Sequence, residues 1–185
     1  MRALPQDPRV VVIGTSSAGK TTFARELAGT LSVPLVELDE LHWAPNWEHK
    51  PKSEFVRLLE SAVSGESWVA DGNYGFVRDV LWPRANVIIW LNYSLPVIFW
   101  RGLRRSIQRS VSGAELWHGN RESFRRTFLS RESILLWIVT TYKRRQQEFM
   151  ELRESKSYTN LKWIEFRLPS EASLWLSRAA AAKHK

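Results

Sequence analysis

Gly14-Thr15-Ser16-Ser17-Ala18-Gly19-Lys20-Thr21 fits the pattern G-x-x-x-x-G-K-[ST], and few short patterns bind a chain so tightly to one local architecture. The flanks agree with it. Arg9–Ile13 (RVVVI) is a β-branched run that reads as a buried strand. Thr22–Leu31 reads as a helix, with Phe23, Leu27 and Leu31 spaced four apart. A strand, a glycine-bearing turn and a helix N-terminus aim successive backbone N–H groups and a helix dipole at a phosphate. Gly14, Thr15, Ser16, Ser17, Ala18, Gly19, Lys20, Thr21 and Thr22 are therefore the expected nucleotide-binding residues. Lys20 is expected to reach the β- and γ-phosphates, and the Thr21 hydroxyl to ligate Mg²⁺. ATP and Mg²⁺ are the cofactors this implies.

Four further strands alternate with helices. Pro34–Leu38, Trp68–Ala70, Asn86–Leu91 and Leu161–Phe166 read as strands. Ser53 is placed to cap a helix running to about Ser64, and His42–Pro51, with two prolines and two tryptophans, reads as a loop. Leu95–Ser110 reads as a helix with Pro96 in its first turn. Arg131–Arg153 reads as a long helix with Lys143-Arg144-Arg145 turned outward, and Pro169 to about Ala181 as a closing helix. Such alternation predicts an α/β fold with a mostly parallel sheet. Short linkers predict one domain over residues 1–185, with residues 100–130 as a basic lid within it.

Chemistry then needs an acid for the metal and one for the acceptor. Asp71 follows the apolar strand Trp68-Val69-Ala70 and is expected to hold Mg²⁺ with Thr21. Asp39 ends the second strand and is assigned to the acceptor, as general base or hydroxyl orienter. Aspartates at such positions also cap turns and helices. Both lie at the carboxyl edge of the expected sheet, where ligands of parallel sheets bind. His42 and Arg78 are expected near the acceptor. Lys20, Asp39, Arg101 and Arg105 form the expected catalytic set, since Arg101 and Arg105 share a helix face and supply cations for the moving phosphoryl group.

Composition narrows the alternatives. No cysteine is present among 185 residues, which excludes thiolate catalysis and cysteine-ligated metals. The N-terminus carries no apolar leader segment, and the most apolar stretch, Val87–Trp100, is broken by Asn92, Ser94 and Pro96, so a cytoplasmic protein without membrane partners is expected. Net charge is +8, yet residues 1–100 hold 9 basic and 11 acidic side chains while residues 101–153 hold 12 and 5. That regional excess fits a polyanionic partner. The expected activity is an ATP-dependent phosphotransferase acting on a small molecule or nucleotide. The alternative is a nucleotide-switched nucleic-acid-binding NTPase or a kinase of polynucleotide ends.

Several of these segments together resemble a bacterial family described as adenylate-kinase-related, or DNA topology modulation protein of the FlaR type. They are the phosphate loop, Leu38-Asp39 with His42-Trp43, Trp68–Tyr74, Val87–Asn92 with its arginine-rich helix, and Glu115-Leu116-Trp117 with Gly119–Glu122. The resemblance covers about residues 9 to 176. It implies a three-layer, nucleoside-monophosphate-kinase-like fold with five parallel strands and a lid after the fourth. It also implies lid roles for Arg101 and Arg105, and a position for Asp39 near the acceptor acid of gluconate- and shikimate-kinase-like enzymes. Where adenylate kinases carry Asp-Gly-Phe-Pro-Arg, this chain has Asp71-Gly72-Asn73-Tyr74-Gly75, which points away from AMP as acceptor.

Overall fold

The computed structural model describes residues 4–112, 118 and 134–183. Five strands form one sheet: β1 Arg9–Gly14, β2 Leu35–Glu37, β3 Trp68–Asp71, β4 Val87–Leu91 and β5 Lys162–Phe166. Their order is β2-β3-β1-β4-β5, and every pairing is parallel. A parallel sheet covered on both faces wants continuous apolar strands rather than alternating ones. The runs VVVI of β1 and VIIWL of β4 meet that demand and are fully buried.

Side chains leave each strand alternately to two layers. Val10, Val12, Ile89 and Ile164 pack against Phe23 and Leu27 of α1 (Lys20–Leu31), Ile98 of α5 (Leu95–Ser112) and Trp175 of α7 (Pro169–Lys183). Val11, Ile13, Trp68 and Ile88 pack against Phe55 and Leu59 of α3 (Lys52–Ala62) and Leu81 of α4 (Arg78–Leu81). The result is the expected three-layer α/β sandwich. The long helix α6 (Ile134–Glu154) serves both layers, Ile138 joining the first and Phe149 the second. It passes over the carboxyl end of β4, where Tyr142 donates to the Tyr93 carbonyl at 3.1 Å and Gln146 to Asn92 Oδ1 at 2.8 Å.

Three local expectations are corrected. Strand β2 stops at Glu37, and Leu38–His42 forms a helical turn, α2, so Asp39 sits in that turn and not at a strand end. Helix α3 begins at Lys52 behind Pro51, and Ser53 lies inside it. Proline has no N–H to leave unpaired before a first turn, so it suits that boundary. The stretch 43–49, expected as open loop, is a compact turn: Trp43 bridges His49, and Ala44 N–H donates to the Glu48 carbonyl at 2.8 Å. Most of the expected lid over 100–130 lies outside the described residues.

Leu38 is buried because Gly72 makes room for it. Gly72 has φ +149°, and a Cβ there would stand 2.7 Å from Leu38 Cβ. Gly72→Ala combines an unfavourable backbone conformation with overpacking and is expected to destabilise the fold by about 3 kcal/mol. Urea unfolding measures this, and a loss below about 1 kcal/mol would contradict the packing described.

Candidate active site

The phosphate loop curls as its sequence demands. Gly14 has φ +154° and Gly19 φ +93°. At Gly14 an added Cβ would lie 2.7 Å from the Leu91 carbonyl oxygen. Ser17 adopts a left-handed φ of 67° as well, a conformation uncommon outside glycine. Ala18 N–H donates to the Thr15 carbonyl at 3.1 Å and closes the turn. Lys20 Nζ approaches the Thr15 carbonyl at 3.4 Å. Arg101 reaches back from α5: its Nη1 donates to the Ala18 carbonyl at 2.8 Å, and its guanidinium lies over the Tyr93 ring.

Four consecutive residues from the end of β3 onward knit the site together. Asp71 accepts a short hydrogen bond from the Thr21 hydroxyl. Gly72 admits Leu38, as described. Asn73 Oδ1 accepts from Gly14 N–H at 3.3 Å, and its amide donates back to the Gly14 carbonyl. Tyr74 donates its phenol to Asp39 Oδ1 at 2.6 Å. Burial pushes that phenol well above the usual tyrosine range, and Asp39 adds to the shift, so Tyr74 stays protonated and remains a donor at any ordinary pH.

These elements border one cleft of about 1220 Å³ at the carboxyl edge of the sheet. Thr15 to Thr22 of the expected phosphate-binding run line it, with Asp39, Asp71, Arg101 and Arg105. Three expected residues do not: Gly14, His42 and Arg78. His42 is half-buried and packs among Trp43, His49, Phe55 and Tyr74, with its Nε2 2.7 Å from His49 Nδ1. Arg78 is ion-paired to Glu148 and lies over the Trp82 ring. Arg145 is a cleft residue that sequence reading missed: expected to face outward, it lines the cleft and pairs with Glu148 at 3.1 Å. Trp43, Trp47, Asn73, Tyr74 and Trp137 join it there.

Charge in the cleft is concentrated around Lys20. Burial pulls its ammonium below the usual lysine range, Asp71 and Asp39 oppose this, and Arg105 and Arg145 reinforce it. Asp71 is pushed up to about 6, chiefly by burial, with Lys20 and the Thr21 hydrogen bond opposing and Asp39 and Glu37 adding. Its Oδ1 is buried without a hydrogen-bond partner among the described residues. An orphaned carboxylate oxygen beside a hydroxyl calls for a hard cation. Among the described residues no group of three or more metal-ligating side chains gathers. Mg²⁺ suits such a sparse donor set, since it keeps waters and takes phosphate oxygens. Thr21 and Asp71 therefore fit Mg²⁺ held jointly with a nucleotide.

The raised Asp71 pKa sets a pH dependence for the metal-free protein. Below its ordinary value near 3.8 the group is protonated whether folded or unfolded. Between there and about 6 the folded state holds more protons, so stability falls as pH rises. Above about 6 the loss is complete, at about 3 kcal/mol. Asp71→Asn should remove this loss, so in chelator its melting temperature should exceed wild type above pH 6 and converge with it near pH 4. Parallel curves would contradict the shift.

Among the described residues no helix is long and apolar enough to cross a membrane. Of the basic stretch 101–153 that raised the expectation of a polyanionic partner, residues 113–117 and 119–133 lie outside the described residues.

No family model matches the chain, and no curated sequence matches it. Solved structures do. A shikimate kinase from Bacteroides thetaiotaomicron aligns over 96% of this chain and 99% of its own, with 16% identity and a TM-score of 0.53. A gluconokinase from Sinorhizobium meliloti 1021 aligns over 96% of both chains, with 18% identity and a TM-score of 0.49. With the strand order, the phosphate loop and the cleft at the carboxyl edge, the chain has the three-layer P-loop fold found in small kinases.

Proposed function

We propose that the chain is an ATP-dependent phosphotransferase acting on a small hydroxyl compound, built as a single domain with a basic lid after β4. The observation that carries this is the meeting of the phosphate loop and Asp39 in one cleft, joined by residues 71–74. A nucleotide switch needs the first half of that arrangement and has no use for an acid held opposite it. The adenylate-kinase-related, topology-modulation family remains the finer identity favoured by the motifs.

The triphosphate lies on Gly14–Thr22, its oxygens met by backbone N–H groups and Lys20. Mg²⁺, held by Thr21 and Asp71, supplies charge neutralisation on the phosphates when bound. Asp39, fixed by Tyr74, accepts the acceptor hydroxyl's proton. The hydroxyl oxygen bonds to the γ-phosphorus as the bond to the β–γ bridging oxygen breaks, and ADP leaves with the bond pair. Lys20, Arg101 and Arg105 stabilise charge on the group in transit. His42 supports the acceptor wall from behind, and Arg78, through Glu148, braces Arg145.

ADP release from Mg-ATP tests the reading, with pooled small hydroxyl compounds, pooled nucleotides, and short DNA or RNA compared. Stimulation by a small-molecule pool, absent in Lys20→Ala, is the expected result. Stimulation by nucleic acid alone would replace this reading with a polynucleotide-directed one.

A further inference from the structure

The turn between Trp43 and His49 closes through two residues with left-handed backbone, Glu48 N–H donating to the Pro45 carbonyl at 3.4 Å across them. Asn46 has φ 62° and Trp47 φ 59°. Two successive left-handed residues suit a tight turn, where Asn is at home, but a bulky aromatic at the second position is an outlier. Strain of this kind persists where surrounding contacts enforce it, and it clusters at ligand sites. Here the enforcing contacts are visible. Ala44 N–H is tied to the Glu48 carbonyl, Lys50 N–H to the His42 carbonyl at 2.9 Å, and Trp43 stacks against His49 with ring centres 4.5 Å apart. The outcome is that Trp43 and Trp47 meet nearly at right angles, 84° with centres 5.3 Å apart, and both line the cleft on the side of Asp39.

Two perpendicular indoles make an aromatic corner. One ring offers its face and the other its edge to a flat partner, the geometry aromatic groups prefer. Carboxylates stand at the same wall, Asp39 and Glu40, and they accept hydrogen bonds from hydroxyl or N–H groups. We infer that the acceptor is a ring compound whose flat face stacks in the Trp43–Trp47 corner while one of its hydroxyls meets Asp39. The inference rests on the phosphotransferase reading and narrows it. An acyclic polyol or sugar acid would leave the corner unfilled. Two sources share the required chemistry: a nucleoside, stacking its base, and a cyclic sugar or cyclitol, presenting an apolar ring face.

Steady-state ADP release tests it, with separate pools of nucleosides, of cyclic sugars and cyclitols, and of acyclic polyols and sugar acids. Wild type, Trp47→Ala, Trp47→Phe and Lys20→Ala are compared. A ring-bearing pool should stimulate, and which one does so identifies the source. For the active compound, Trp47→Ala should raise KM about tenfold or more, the scale of one lost stacking contact, with kcat within about threefold. Trp47→Phe, which keeps a ring there, should recover most of that KM. A folding defect would lower kcat and KM for ATP as well, and would not be rescued in KM alone. Stimulation by the acyclic pool alone, or an unchanged KM in Trp47→Ala, overturns the ring assignment and leaves the phosphotransferase reading standing. No Lys20-dependent stimulation by any pool overturns both.

Discussion

Lys20→Ala is expected to lower phosphoryl-transfer turnover about a hundredfold, the scale of removing one charge-stabilising donor from an enclosed site. The expectation follows from where the ammonium lies. It is half-buried in the cleft, acted on by Asp71 and Asp39 and set among Arg105 and Arg145. A cation so placed acts more strongly on a phosphate than the same cation in water. Its loss also removes a cation that acts on both carboxylates, so Lys20→Met, which keeps the stem's bulk, is the control for packing. Single-turnover ADP release with saturating Mg-ATP measures the effect. Turnover within about threefold of wild type would remove Lys20 from the reaction, and the phosphate-loop assignment with it.

Asp39→Asn is expected to cut kcat by about a thousandfold, within the range for a positioned general base. Asparagine keeps an oxygen that accepts the Tyr74 phenol at the place where Asp39 Oδ1 does so now. The wall should therefore hold its shape while losing its basicity. KM for ATP should change little, because the phosphate loop is untouched. Slow hydrolysis of ATP in the absence of acceptor should persist. A fall in kcat below about tenfold would make Asp39 an orienting group and place the proton elsewhere.

The nucleotide half of the site was legible because it is local. A contiguous pattern, glycine at Gly14 and Gly19 and a strand and helix on either side determine the loop without help from distant residues. Asp71 was legible for a related reason, as the first polar residue after a fully apolar strand. The acceptor half depends on tertiary placement. Arg145 looked like part of an outward-facing basic triplet, and helical period alone cannot reveal that α6 crosses above the strand ends. Asn73 and Tyr74 had a weak signal, polar and hydrogen-bonding groups directly following that same strand. Trp47 had none, since its left-handed backbone comes from the closure of a turn whose partners, Trp43 and His49, stack across it. His42 and Arg78 suit the chemistry, but ring packing around His42 and the Glu148 pair of Arg78 hold both outside the cleft lining.

The acceptor wall also hangs from the least integrated part of the sheet. Strand β2 has three residues, lies at the edge and, among the described residues, pairs only with β3. The phosphate loop, by contrast, springs from the central strand, paired on both sides. Edits to residues 38–50 therefore perturb a border, while edits to residues 14–22 perturb the keystone. Under the proposed phosphotransferase reading this makes the molecule modular in one direction only: a transplanted 38–50 segment that preserves Asp39, and Leu38 with its fit against Gly72, is expected to redirect the same phosphoryl donor to a new recipient with little disturbance to the frame.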